Sequence, residues 1–164
     1  MKKESQRIIG INPGTRYLGI AVVYGSELMD WRIKVLQGKW SEEKIRKAIR
    51  IVSDLIECYE PNILAIKKLH PSRSSKNLKL LVSKIKTLAG RKRIKVKSYS
   101  IYELERYFIE DEKLNKRNLA DKVVAKYPML VHEFNKEKSQ KHSYYMRAIE
   151  AVALGMKIQS AIDS

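Results

Sequence analysis

The segment Ile8-Ile9-Gly10-Ile11-Asn12-Pro13-Gly14-Thr15-Arg16-Tyr17-Leu18-Gly19-Ile20-Ala21-Val22-Val23 constrains the fold more than any other stretch of the chain. Two apolar runs rich in β-branched residues flank a Pro-Gly pair, which reads as a strand, a tight turn and a second strand. The first run ends in a polar residue, Asn12, so the strand end presents an amide at the sheet's edge. A second turn signal, Gly25-Ser26, joins residues 18–24 to a third β-type run at 27–35, predicting three antiparallel strands at the start.

Periodicity carries the reading onward. Ser41 stands before Glu42 and Glu43 as a helix cap, and Ile45, Ala48, Ile49, Val52, Leu55 and Ile56 recur at helical spacing as far as Tyr59. Glu60-Pro61-Asn62 breaks that helix, and residues 63–66 are short and apolar, as a buried parallel strand requires, with Lys67 at its end. Leu78, Leu81, Val82, Ile85 and Leu88 form a second helical face, which Gly90 is expected to close, and residues 94–97 alternate as a strand. Residues 101–108 and 118–126 read as shorter helices, with Pro128 ending the second, and 132–141 as a charged connection. A last helix over 143–162 carries Tyr145, Ile149, Val152 and Met156 on one stripe. The order predicts a single α/β domain over 1–164, its mixed sheet opening with three antiparallel strands, continuing with parallel ones and covered by helices on both faces.

Charge narrows the partner. The 34 Lys and Arg outnumber 18 Asp and Glu, a formal charge of +16, which favours a polyanion over a neutral or cationic ligand. Lys-rich surfaces selected for heat resistance come with balancing Glu, and this one does not. The cations form a series of Lys67-Lys68, Arg73 to Lys76, Arg91-Lys92-Arg93 and Lys116-Arg117, with Arg16 in the opening turn. Trp31, Trp40, Tyr99 and Tyr102 are available for base stacking or for core packing. The lone Cys58 has no disulfide or zinc partner, no apolar run is long enough to cross a bilayer, and residues 1–7 lack a secretion signal. A reducing, cytoplasmic setting is expected, with no membrane partner.

The opening motif resembles the first strand of the RuvC-type Holliday-junction resolvases of the ribonuclease H-like superfamily. There an Ile-Asp-Pro-Gly run is followed by Ser or Thr, then Arg, and by Gly three residues later. Every element is kept here except the aspartate, which is Asn12. The resemblance spans most of the chain, firmest over 9–19 and next over 148–155. It implies a ribonuclease H-like fold, a dimer, branched DNA as substrate, and two divalent metals about 4 Å apart that activate a water and stabilise the leaving oxygen. In that family the carboxylates come from the end of the first strand, the end of the strand after the first helix, and two positions one turn apart on the last helix. Those places fall on Asn12, Lys67, Arg147 and Glu150. Only Glu150 is acidic. Lys116 matches a family lysine at a helix start, and Glu105 stands where a second one would be.

Together these changes turn a negative pocket into one carboxylate beside an ammonium and a guanidinium. At an effective dielectric near 20, a like charge about 4 Å from a metal site costs roughly 4 kcal/mol per unit charge, before lost ligand bonds are counted. The expectation is a nucleic-acid-binding pseudonuclease that holds structured DNA and needs no metal or other cofactor. Asn12, Lys67, Arg147 and Glu150 occupy the family's catalytic positions without cutting, and Arg16, Lys68, Arg73, Lys76, Arg91, Lys92, Arg93, Lys116 and Arg117 supply backbone contacts. Two arrangements stay open: Lys67 and Arg147 clamp a phosphate, or Arg147 and Glu150, three apart on a helix, pair with each other. Two other functions also stand. One is an active Mg²⁺-dependent endodeoxyribonuclease rebuilt from Glu150, His142 and Glu133 or Asp111. The other is an inactive assembly partner, as a homodimer or as a heterodimer with an active paralogue. His142 is a candidate proton shuttle by its place before the last helix, whereas His70 and His132 lack partners at ligand spacing.

Overall fold

A computed structural model describes residues 6–72, 74–131 and 146–163. The elements run β1 (Arg7–Asn12), β2 (Tyr17–Tyr24), β3 (Glu27–Val35), α1 (Glu42–Tyr59), β4 (Ile63–Lys67), α2 (Lys76–Arg91), β5 (Lys95–Tyr99), α3 (Ile101–Phe108), α4 (Lys116–Lys126), a 3-10 turn (Pro128–Leu130) and α5 (Met146–Asp163). The sheet order is β3-β2-β1-β4-β5. β1, β2 and β3 pair antiparallel and β4 and β5 are parallel, as the sequence predicts; β4 pairs with β1, and β5 with β4.

Alternation along the strands divides the interior into two cores, because successive side chains point to opposite faces. Ile9, Ile11, Leu18, Ile20, Val22, Leu64 and Ile66 face α1 and α2, where they meet Val52, Leu55, Leu81 and Ile85. Ile8, Ala21, Val23 and Ala65 face the other way, toward Leu104, Leu119, Val123 and α5. Asn12 follows Ile8 and Gly10 at period two, so the same alternation puts its side chain on the α5 face.

That face is closed by an unusually near helix. A Cβ placed on Gly10 would lie 2.3 Å from the carbonyl oxygen of Ala151, and one on Gly19 would lie 2.2 Å from that of Arg147. These glycines are required for close approach rather than for turning the chain. They let the backbone of α5 rest on β1 and β2, which brings Glu150 to the end of β1.

Four local expectations are corrected. α2 continues through Gly90, which sits in its last turn, and the chain reverses instead at Arg93 in the left-handed region (φ 59°). β5 begins at Lys95 and runs to Tyr99. α4 starts two residues early because the Asn115 side chain accepts the Asn118 N–H at 2.8 Å and caps it. α5 carries no single apolar stripe: from Ala148 to Leu154 no residue is more than 2% exposed, since the sheet, α3 and α4 surround it. The charged connection at 132–141, Tyr145 and the expected helix start at 143 lie outside the described residues.

Candidate functional site

β1 and β4 run in parallel with Ile11 opposite Ile66, so Asn12 and Lys67 emerge side by side at the same sheet edge. Glu150 reaches them from α5. Its carboxylate is buried, 2% exposed, and accepts from Asn12 Nδ2 in a short contact and from Lys67 Nζ at 3.0 Å. The other oxygen, Oε1, lies 3.4 Å from Nζ of Lys116, the first residue of α4. The Asn12 amide must point its NH₂ at Glu150, because the reverse orientation would set two acceptor oxygens together. Its Oδ1 is then buried with no hydrogen-bond partner among the described residues. Arg147 does not pair with Glu150. Its Nη1 donates to the Pro13 carbonyl at 3.3 Å, tying α5 to the β1–β2 turn.

Burial and charge act on the lysine from opposite directions. Desolvation lowers the Lys67 pKa, the Glu150 carboxylate and its hydrogen bond raise it, and the cations Lys116 and Arg147 lower it again, for a net downward shift. Glu105 on α3 is half-buried and joins the same electrostatic field. Its pKa is raised, first by burial and then by the negative charge of Glu150, with Lys116 and Lys67 opposing.

Over these residues opens a cleft of about 720 Å³, with Asn12, Lys67, Lys68, Lys116 and Arg147 on one side and Leu69, Pro71, Leu78, Ile101 and Tyr102 forming much of the rest. A cleft lined by both cations and apolar side chains is suited to a phosphate attached to a larger, flatter group.

Residues 8–126 match the family described as crossover junction endodeoxyribonuclease RuvC. The chain belongs to the RuvC family. Among solved structures it is similar to Thermus thermophilus RuvC in complex with a Holliday junction substrate, at 14% identity and TM-score 0.75, covering 97% of this chain and 96% of that one. It is also similar to the yeast mitochondrial Holliday junction resolvase (13%, TM-score 0.70, covering 96% and 80%) and to the Fowlpox virus resolvase in complex with its Holliday junction (13%, TM-score 0.57, covering 96% and 99%). At such identities these likenesses concern the fold. No curated protein matches the sequence significantly.

The donor set does not fit the metal pair that RuvC membership implies. A divalent pair needs several anionic oxygens free to coordinate, whereas Glu150 is the one carboxylate at these four positions: its Oε2 accepts from Asn12 and Lys67, and its Oε1, which accepts no hydrogen bond among the described residues, lies 3.4 Å from the Lys116 ammonium. Among the described residues no three His, Cys, Asp or Glu side chains converge as a metal cluster. Asp111 is exposed, and His142 and Glu133 lie outside the described residues.

The structure brings Asn12, Lys67, Glu150 and Lys116 together, with Arg147 beside them. Lys68 borders the same cleft, 3.9 Å from Glu103. Arg16 and Lys76 are exposed near its rim, on the β1–β2 turn and at the start of α2, and Arg117 is exposed beside Lys116. Arg91, Lys92 and Arg93 are not part of this cluster: they sit at the far end of α2, roughly 24 Å along the helix from Lys76 at 1.5 Å per residue. Arg73 lies outside the described residues. Trp31 and Tyr99 pack against the core, Tyr102 lines the cleft, and among the described residues no helix is long and apolar enough to cross a membrane. Sequence reasoning missed that Lys116, not Arg147, is the second partner of Glu150, and that Glu105 belongs to the same field. Spacing along α5 leaves an Arg147–Glu150 pair open in the sequence, since residues three apart on a helix are neighbours, and the structure does not make it.

Proposed function

We propose that this RuvC-family chain binds structured nucleic acid, branched DNA above all, and holds its backbone with lysines where a nuclease would hold metals. The reading is supported most by one observation: the only acidic side chain among the four family positions is bracketed by Lys67 and Lys116 and hydrogen-bonded by Asn12. With Arg147 adjacent, three cations face one carboxylate, so the cluster keeps a positive excess. An incoming phosphate can share the lysines with Glu150 through charge-assisted hydrogen bonds. The +16 charge supplies the longer-range attraction. The domain acts as one unit, and dimerisation, with itself or with an active paralogue, would supply the second half of a two-fold substrate. The exposed thiol of Cys58 suits a reducing cytoplasm.

An active reading would draw on Glu105 in place of the Asp111 or Glu133 expected from sequence, since its carboxyl feels the charge of Glu150. Incubating a four-way junction with Mg²⁺ or Mn²⁺ separates the two. The holding reading expects binding without cleavage, whereas cleavage abolished by Glu150→Ala would overturn it. Asn12→Asp with Lys67→Glu and Arg147→Asp is expected to create metal binding, read by calorimetry with Mn²⁺, if these four positions are the family's site.

A further inference from the structure

A second groove, also of about 720 Å³, is lined by other residues of two segments that border the Glu150 cleft. In the β1–β2 connection Asn12 and Pro13 line the cleft while Thr15, Arg16 and Tyr17 line the groove. At the start of α2, Ser74 and Leu78 face the cleft while Ser75 and Asn77 face the groove. Trp40, Gly38 and Lys44 complete it.

Lys44 is the unexplained member. It is 9% exposed, near the start of α1, and its ammonium gives one hydrogen bond, to the Gly38 carbonyl at 2.9 Å, with the Trp40 ring centred 5.9 Å away. Three N–H donors thus have one acceptor, and no carboxylate pairs with the charge among the described residues. The ammonium helps to line the groove beside Gly38 and Trp40, with donors left over for an anion. Arg16 extends over the Tyr17 ring at 5.4 Å, exposed and likewise without a carboxylate among the described residues. The first turn of α2 contains no acidic residue that would fill its positive end. Three sources of positive potential therefore meet in one groove, and no carboxylate is among the residues that line it.

We infer that this groove is a second anion site, taking a backbone phosphate from the same nucleic acid whose neighbouring segment lies over Lys67 and Lys116. The inference rests on the proposed function for the identity of its ligand, but the anion site itself does not. Arg16 and Lys44 hold the phosphate, and Trp40 lies against the bound position.

The test uses Trp31→Phe protein, in which Trp40 is the sole tryptophan, titrated with a four-way DNA junction and separately with inorganic phosphate. The groove predicts a Trp40 fluorescence change with both. Arg16→Gln and Lys44→Met are each expected to reduce the slope of log affinity against log salt, by about 0.9 at most for the one phosphate they hold together, with the double variant losing no more than that. Lys44→Arg should retain both slope and fluorescence response, and Arg16→Gln, on an exposed turn, carries the test if Lys44→Met does not fold. If Lys67→Gln with Lys116→Gln weakens junction binding while the Arg16 and Lys44 variants leave slope and fluorescence unchanged, the groove is refuted and the function stands. If the groove variants alone weaken binding, the groove stands and the lysine clamp falls. Should the wild type bind no junction at low salt, the function falls; a Lys44-dependent response to phosphate then still supports an anion site, and silence overturns it.

Discussion

On the face covered by α1 and α2 the strands offer Ile9, Ile11, Leu18, Ile20 and Leu64 to an apolar core, whereas on the α5 face they offer Gly10 and Gly19 to a helix backbone and end in Asn12 and Lys67. The first face is held by side-chain volume, and its helices stand off the sheet by the size of those side chains. The second is held by backbone proximity, and that proximity lets a carboxylate from the middle of α5 reach a strand end. The difference explains why both faces bury a core but only the α5 face also carries a site. It also means that the site is sensitive to changes too small to matter opposite.

The comparison breaks most visibly at the glycines. Gly10→Ala sets a methyl 2.3 Å from a carbonyl oxygen that cannot rotate away, so a loss at or above the usual overpacking range, about 3 kcal/mol, is expected by urea denaturation. An Ile9→Val change one residue away, toward α1 and α2, should cost only about 0.5–1.5 kcal/mol. Equal losses would mean that the close approach of α5 contributes nothing special.

Next in size is Glu150→Gln. Removing one charge from a buried ion pair costs roughly 3 kcal/mol, less here to the extent that the lysines turn toward solvent. Because the carboxylate competes with phosphate for Lys67 and Lys116, the same change is expected to tighten junction binding, measured by anisotropy. Stability and affinity moving in opposite directions would mark Glu150 as an occupant of the clamp. A joint loss would make it a support for the binding surface.

How far these features are legible in the sequence follows the same division. The succession of strands along the chain, α1, α3 and the placement of Lys67 at a strand end come directly from period-two and helical patterns, because side-chain burial governs them. The intimate packing of α5 is not legible from apolar periodicity, since its contacts are made by helix backbone against glycine. The positions of Asn12, Lys67 and Glu150 are reached by motif resemblance, but the pairing of Glu150 with Lys116 depends on how α4 is set against α5, which no local pattern encodes. Gly90 misleads for a related reason: a glycine late in a helical pattern suggests a stop, yet nothing prevents the helix from running through it.

Smaller effects sharpen the contrast. A Cβ on Gly90 would meet nothing within 4 Å, so Gly90→Ala should stabilise the protein by up to about 1 kcal/mol through helix propensity, the reverse of Gly10→Ala. Glu105→Gln should stabilise slightly, about 0.5 kcal/mol or less as befits a half-exposed group. The pH dependence has a definite sign. Because the folded-state pKa of Glu105 is raised, its contribution is fully present below the ordinary glutamate value of about 4.3 and is lost as pH rises through the folded value. The variant should therefore gain on the wild type only above that range, and a gain confined to acid would contradict the assigned field.

The central claim, that lysines have taken over the place of metals at the end of β1, is tested most directly by the affinity for a labelled four-way junction at fixed ionic strength in EDTA and in Mg²⁺. The account expects the same dissociation constant in both, an intact junction afterwards, and weaker binding by Lys67→Gln with Lys116→Gln. Binding that appears only with Mg²⁺, or a junction cut in its presence, would contradict it.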